Sequence, residues 1–593
     1  MIKHMKKFCS HYGNWIYFFA SWLLTAIEID WIVGKFGMLG LVYTSPMAIA
    51  ESLIWGGFFM LPFIFLPSRL RWIQLIILLI LVIFNTANCF YFRNFVSFIP
   101  LTALTLSEGV NKFTIDAVTD SFLITDLIIW FAWLVQLFMF IILRKPIYKN
   151  RFGWKITASL TITVVISVAF LQKIRYKDFI ESTHQFDDEI RNYKSFTALV
   201  DPFTDFMRNG YFEMYILYFF DLFEKIPPLD KHEIYEITKL TSPTQTTDYQ
   251  QITPPHHFKA SEDIKLPNKN LIFIIVESLN SSALGLIYDG KRFTPTLDSL
   301  KASPNVLTFD GMRSQALLGN SSDGQFIYNT GLYPLEYEIT VTRNSTGPFP
   351  SLCRELMGYD CWEFMGENKQ IWRHDKTSKA YGYNGIIDRL SDHKECNEDE
   401  TILMSSLNYL KNLKRPFFAL ITTLSMHSPY DYPKNPIGWN LSNEAYSYLS
   451  KTHAFDQGLK SFLDGLKQEG LYDDTIIVMA SDHQAPSHAL REPAISDGRI
   501  ILMIINSGLP GGIDSRTVGQ IDVYPTILDV MGMKHPRWPG MGQSLIQHVP
   551  GFAVVRGTVV VGDSSDTSAI SRQKRLWKLS ARMIKTNTFP SLR

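Results

Sequence analysis

The chain has 593 residues, 46% hydrophobic and 14% aromatic, with 57 basic against 56 acidic side chains and a formal net charge of +1. That length implies more than one domain. A balanced charge without a sustained basic stripe excludes nucleic acid as the main partner, so any phosphate recognition must be local.

The apolar excess lies before about residue 175, where runs at 15–27, 53–66, 73–92, 127–143 and 156–171 approach the ~20 residues of a membrane span. The second is interrupted by Pro62. Basic residues accumulate on the cytoplasmic side, which places Lys3, Lys6 and Lys7, then Arg69 and Arg71, then Arg144, Lys145, Lys149, Arg151 and Lys155 inside. An odd count of about five spans then puts everything after Tyr176 outside. No small-residue cleavage site follows Ile27, so the first segment reads as a retained anchor. Glu28, Asp30 and Asp126 sit near span ends and read as interfacial carboxylates in water, with no assigned role.

The stretch 211–226 is strongly aromatic with interspersed charges, which suits a helix on the bilayer surface or one packed on the soluble domain. Residues 241–268 carry no periodicity and read as a linker. His256 and His257 lie there without supporting ligands. The expected division is a transmembrane domain at 1–175, juxtamembrane helices and linker at 176–268, a catalytic domain at 269–545 and accessory strands at 546–593.

From Asn270 onward, β-rich runs at 271–276, 417–424, 475–480 and 499–505 alternate with amphipathic stretches, as in a doubly wound α/β sheet. Ligands of such sheets bind beyond the carboxyl ends of the strands. Glu277, His427 and the pair Asp482 and His483 all fall at such ends. A Gly-Asn-Ser-Ser-Asp turn at 319–323, before an apolar helical run, adds a hydroxyl from Ser321. Two carboxylates, an imidazole and a hydroxyl form a mostly hard donor set for Mn²⁺, Mg²⁺ or Zn²⁺, suited to activating an alkoxide nucleophile. The helix start after Ser321 offers backbone amides and its dipole to phosphoryl oxygens. His488 and Arg491, just beyond the Asp482 and His483 pair, are within reach of a phosphate but read better as solvated loop residues.

The five cysteines, Cys9, Cys89, Cys353, Cys361 and Cys396, include no CxxC pair, which argues against a structural zinc site. Cys353 and Cys361 stand between two readings, a disulfide in an oxidising compartment and ordinary thiols. In the tail 572–585, Trp577 and Leu579 alternate with charge, which predicts an exposed strand of a small accessory sheet.

The motifs VESLNSSALG, GNSSDGQF, ENKQIWRHD, LSMHSPY, ASDHQAP and IDVYPTIL, in that order after five spans, resemble the sulfatase-like branch of the alkaline phosphatase superfamily, and within it the lipoteichoic acid synthases. The resemblance implies one divalent ion, with manganese favoured over zinc or magnesium, on Glu277, Ser321, Asp482 and His483. It implies Ser321 as the nucleophile and His427 as proton donor to the leaving group. The family usually has threonine at the nucleophile position, and Ser322 is the neighbouring alternative. Trp372, Arg373 and His374 resemble a Trp-Asn-Arg-Asp head-group segment, but His374 stands where the family has arginine and Met365 where it has histidine.

The implied function is transfer of a head group from a membrane phospholipid to an extracytoplasmic glycan or lipid acceptor, by a multi-pass protein of the bacterial inner membrane. Phosphoglycerol is favoured, with phosphoethanolamine next. A sulfatase proper needs a C-x-P-x-R context, absent around Ser321 and Cys353. A phosphodiesterase would use the same residues, and a lipid sensor of the same fold would not need the complete ligand set.

Overall fold

The computed structural model describes residues 2–37, 45–95, 98–101, 122–149, 152–182, 206, 210–223, 226–241, 269–288, 290–391, 398–428, 430, 433, 441–485, 490, 492–533, 536–547 and 551–589. They fall into two compact units, Met1–Leu101 with Ile115–Glu224, and Thr102–Thr114 with Lys225–Arg593.

The first unit contains α1 (Ile2–Gly37), α2 (Ser45–Phe65), α3 (Ile73–Phe95), α4 (Leu127–Ile142) and α5 (Trp154–Ser182). Within them and their flanks, His11–Val33, Ala48–Phe65, Ser68–Arg93, Ile124–Ile142 and Trp154–Arg175 are long and apolar enough to cross a membrane. Each overlaps one of the five runs read from the sequence. Helices suit that role because every backbone group is satisfied within the segment.

Two of the carboxylates expected in water are buried instead. Glu28 accepts from Asn85 Nδ2 at 2.8 Å, and Asp126 is gripped by both Arg93 terminal nitrogens at 2.6 and 2.5 Å. Position near a span end was a poor guide because a carboxyl withdrawn from water is tolerated wherever a donor meets it. Helix α6 (Tyr211–Asp221) packs on the helices of this same unit: Tyr211, Phe212, Met214 and Tyr215 are buried, Trp55 Nε1 donates to Glu213, and Tyr215 donates to Asn88 Oδ1 at 2.7 Å. Its other face, with Ile216, Phe219 and Phe220, is exposed. Buried Arg175 pairs with buried Glu51, whose other oxygen receives the Tyr211 amide. The linker beyond Thr241, with His256 and His257, lies outside the described residues.

The second unit begins with α7 (Lys231–Thr241) and is built on a nine-stranded sheet. Its strands are β1 (Asn270–Val276), β2 (Val306–Arg313), β3 (Asp360–Met365), β4 (Gly385–Ile387), β5 (Phe417–Thr422), β6 (Thr475–Ser481), β7 (Arg499–Ile505), β8 (Gly512–Asp514) and β9 (Val518–Gly519). The order is β8-β2-β7-β6-β1-β5-β3-β4, with β9 also on β2. All pairs are parallel except those made by β7, which runs against both β2 and β6. The four strands predicted from sequence are β1, β5, β6 and β7.

Both faces of the central strands are apolar because helices cover both. Leu271, Phe273 and Ile275 enter one core, and Ile272, Ile274 and Val276 the other. Helices α8 (Ser321–Thr330), α9 (Glu398–Leu410) and α10 (Asn443–Gln468) contribute buried residues to these layers. Cys353 and Cys361 are buried free thiols.

A small accessory sheet is present, the antiparallel pair β10 (Phe552–Val555) and β11 (Val559–Gly562). The segment 572–585 is not part of it. It lies within a 20-residue helix, α11 (Thr567–Thr586), capped by Asp566, whose side chain accepts from the Ala569 amide. The alternation at Trp577 and Leu579 misled because Leu576, Leu579, Met583 and Ile584 recur at helical spacing and all are buried, so the 3.6-residue period prevails. Arg575 and Arg582 on its outer side pair with Glu236 and Glu233 of α7. Trp577 is fully buried, stacks on Tyr333 at 4.4 Å and donates to Pro334 O. Trp577→Ala should therefore destabilise the second unit by about 3 to 5 kcal/mol. Calorimetry of the full chain in detergent reads this, whereas an exposed strand residue would change little.

Candidate active site

Parallel register places the site. Val276 of β1 lies beside Ser481 of β6, so Glu277 and Asp482 leave the sheet side by side, and the Asp482 amide closes the ladder onto Val276 O at 3.1 Å. On the other flank of β1, Thr423 after β5 accepts the Glu277 amide at 3.0 Å. Ser278 is held at φ 53°, a conformation costly for a side chain other than glycine. Its amide donates to Asp482 Oδ1 at 2.8 Å, its hydroxyl to Glu277 Oε1 at 2.8 Å, and its carbonyl receives Tyr448.

Ser321 opens α8. The turn before it is shaped by buried Asp323, whose Oδ2 accepts from the amides of Leu317 at 3.1 Å and Gly319 at 2.9 Å. The Ser321 hydroxyl donates to Glu277 Oε2 at 3.0 Å and lies 3.2 Å from His483 Nε2. The Ser322 hydroxyl points back into the turn, donating to Gly319 O at 2.9 Å. The amides of Ser322, Asp323 and Gly324 are all taken by the carbonyls of Gly319 and Asn320. The helix start thus offers its dipole here, and not the free donors that the sequence suggested from those three residues.

Gly324 explains how α8 comes so close. A Cβ there would lie 2.4 Å from Asp482 O, so only glycine lets the helix rest on the strand end. Gln520 buttresses the same carbonyl with Nε2 at 2.6 Å while its Oε1 receives the Gln315 and Ala316 amides.

Glu277, Asp482 and His483 bring ligand atoms within 4.8 Å of one another, buried together. His483 Nε2 stands 3.5 Å from Glu277 Oε1 and 3.6 Å from Asp482 Oδ2. Donors about 2.1 Å from a shared tetrahedral ion stand about 3.4 Å apart, so these residues and Ser321 fit a divalent cation. His483 Nδ1 donates to Gln484 O at 2.9 Å, which leaves the Nε2 lone pair facing the centre. The electrostatics agree. Burial and Glu277 push Asp482 up to about 7. Burial would also raise Glu277, but His483 and His427 outweigh it and leave that carboxyl below its ordinary value. For His483, burial is outweighed by Asp482 and Glu277, which hold the imidazolium above its usual range.

His427 follows β5 in a turn. Its Nδ1 donates to Ser428 O at 2.5 Å, which leaves Nε2 as the ring nitrogen outside that bond. Trp372 and Arg373 both have positive φ, 51° and 59°. Trp372 packs with Leu318, Ile339 and Val341, beside the Ser321 turn, and Arg373 donates to Thr342 O at 3.3 Å. His374 is turned inward: it is buried, and Nδ1 lies 2.8 Å from Glu363 Oε1. Sequence reading missed Glu367, just after β3. Burial and Glu277 raise its carboxyl while His427 and His374 pull against the rise. Its position at a strand end, like that of Glu277, was the available signal. His488 and Arg491 lie outside the described residues.

Residues 269–533 match the sulfatase family model. The chain is homologous to lipoteichoic acid synthases, enzymes of the sulfatase family. Lipoteichoic acid synthase 2 of Bacillus subtilis is 26% identical over 83% of this chain and 76% of its own length. Lipoteichoic acid synthase of Staphylococcus aureus is 24% identical over 89% of this chain and 84% of its own. A solved lipoteichoic acid synthase of Listeria monocytogenes aligns at 20% identity and TM-score 0.48, covering 59% of this chain and 98% of that one.

Two outcomes follow from the geometry. A divalent ion must displace the proton that burial and Glu277 favour on Asp482, so affinity should climb as pH rises through about 7, by up to about tenfold per unit. Calorimetric titration of the full chain with Mn²⁺ at several pH values measures it. Gly324→Ala should force α8 off the Asp482 carbonyl and abolish the rise in melting temperature that Mn²⁺ gives the wild type.

Proposed function

We propose that this chain is a phosphotransferase that takes phosphoglycerol from an outer-leaflet phospholipid, holds it on Ser321 and passes it to the hydroxyl of an extracytoplasmic glycan or lipid. The observation that carries the reading is the Ser321 hydroxyl poised between Glu277 and His483, with Ser322 turned away. Homology to lipoteichoic acid synthases selects the substrate class. Five membrane-spanning helices hold the catalytic domain near a donor confined to two dimensions, which raises the effective concentration of each for the other. The distribution of basic residues supports a catalytic domain outside the bacterial cytoplasmic membrane.

Glu277, Asp482, His483 and Ser321 would hold one divalent ion, with manganese favoured. When bound, such an ion favours the deprotonated serine and offsets phosphoryl charge. In the first half-reaction Ser321 Oγ, its proton released to solvent, bonds to phosphorus as the bond from phosphorus to the diacylglycerol oxygen breaks. His427 Nε2 gives that departing oxygen its proton. In the second, the acceptor hydroxyl oxygen bonds to phosphorus, its proton returns to His427 Nε2, and the bond from phosphorus to Ser321 breaks, Ser321 Oγ regaining its proton from solvent. Trp372, Arg373 and His374 are proposed to shape the head-group side.

The test is to incubate the full protein with Mn²⁺ and lipids of mixed head group, then search for a covalent adduct by mass spectrometry. A glycerophosphate adduct on the Ser321 peptide is expected, and Ser321→Ala should lose it together with at least about 10³-fold of turnover. An adduct on Ser322, or none while the lipid is consumed, would overturn the assignment of the nucleophile.

A further inference from the structure

Asp399 sits in the first turn of α9 and is completely buried. Its Oδ1 accepts from the Leu424 amide at 2.7 Å and the Ser425 amide at 2.9 Å, and its own amide donates to Ser425 Oγ at 3.0 Å. These bonds tie the start of α9 to the turn that carries His427, whose amide in turn closes onto Leu424 O at 2.9 Å. From α10, Lys451 Nζ donates to His427 O at 3.1 Å and Thr452 Oγ1 lies 3.3 Å from Met426 Sδ. The turn is therefore gripped from two helices.

A carboxyl is an expensive clamp in this place. Asp399 Oδ2 is buried with no hydrogen-bond partner among the described residues. Burial pushes the group up to about 6 against the pull of the Leu424 and Ser425 amides. A neutral hydroxyl or amide would close an ordinary turn with less desolvation. What the carboxylate adds is two short bonds to consecutive amides from one oxygen, charge-assisted and hence strong and directional. That rigidity has value where one atom must stand at a set place, and here the atom is Nε2 of His427.

We infer that Asp399 is a positioning residue for the proton donor: by fixing Leu424 and Ser425 it sets where His427 Nε2 stands relative to the leaving-group oxygen. This rests on the reading of His427 given above. Proton donation matters in proportion to how poor the leaving group is, which separates positioning from general support of the fold.

The experiment uses the full-length protein with Mn²⁺ and two synthetic phosphodiesters that share a phosphoglycerol group, one with a simple alkyl alcohol as leaving group and one with 4-nitrophenol. Asp399→Ala should lower kcat on the alkyl ester by on the order of 10²-fold, and the loss on the nitrophenyl ester should be at least about tenfold smaller. His427→Ala should show the same selectivity, and the double variant should be no worse than His427→Ala by more than about threefold. Ser425→Ala, which removes one bond without stranding a charge, should shift kcat in the same direction by less, and Asp399→Asn, which keeps an acceptor oxygen, should recover most of the alkyl-ester rate. Equal losses on both esters, or multiplying losses in the double variant, would overturn the positioning role. A wild type inactive on both esters would instead overturn the transferase reading beneath it.

Discussion

The register between β1 and β6 is the constraint on which the site depends. Because Val276 pairs with Ser481, the next residue on each strand is a carboxylate, and the two emerge within reach of one ion. A slip of one residue would reverse the face of every side chain on the strand and send Glu277 into the core. The register is itself held by the two apolar cores, since Leu271, Phe273 and Ile275 cannot exchange faces with Ile272, Ile274 and Val276 without unpacking both layers. Catalytic geometry is thus fixed by packing several residues away from it, and Gly324 then lets α8 bring Ser321 to the same point.

The price of this convergence is negative charge in a dry place. Glu277, Asp323, Asp399 and Asp482 are all buried, and three of them are pushed well above the ordinary aspartate range. Backbone amides answer part of this, through Ser278 and His483 on Asp482 Oδ1 and through Leu317 and Gly319 on Asp323. The oxygens left over, Glu277 Oε2 and Asp482 Oδ2, face Ser321 and His483 and not further donors. An array with its inner oxygens paired to the fold and its outer ones converging suits a cation better than it suits a protein side chain.

Much of this was legible in the sequence where pattern and physics coincide. Short apolar runs ending in Glu277, Asp482 and His483 announce strands whose carboxyl ends bring these side chains together, and the five long apolar helices follow from length and hydropathy. What remained hidden depends on contacts that no local pattern carries. Trp577 and Leu579 looked like a strand because a window of a few residues fits two periods, and only the longer repeat through Met583 and Ile584 selects the helix. Glu28 and Asp126 looked solvated because Asn85 and Arg93 lie far from them in sequence. Gln520 and Asp399 act through backbone amides of distant segments, and a side chain that recognises a main chain leaves no trace in the identity of its partner.

The two halves of the site differ in how far the sequence determines them. The half proposed to bind an ion is held by neighbouring strands in fixed register, so few arrangements are open to it. The half proposed to receive the head group rests on the turn at 371–374, where Trp372 and Arg373 both take left-handed backbone angles and His374 is drawn onto Glu363. An arginine there would present a planar fork to an anion, whereas an imidazole engaged through Nδ1 with a buried carboxylate offers at most its other nitrogen. Burial works against the charge on His374, but Glu363 and Glu367 outweigh it and hold the imidazolium above its usual range. The His374 ring is therefore biased toward its protonated form by Glu363 and Glu367. On the proposed reading, selectivity for the head group is set by the balance between His374 and those two carboxylates and by the Trp372 ring packed beside the Ser321 turn.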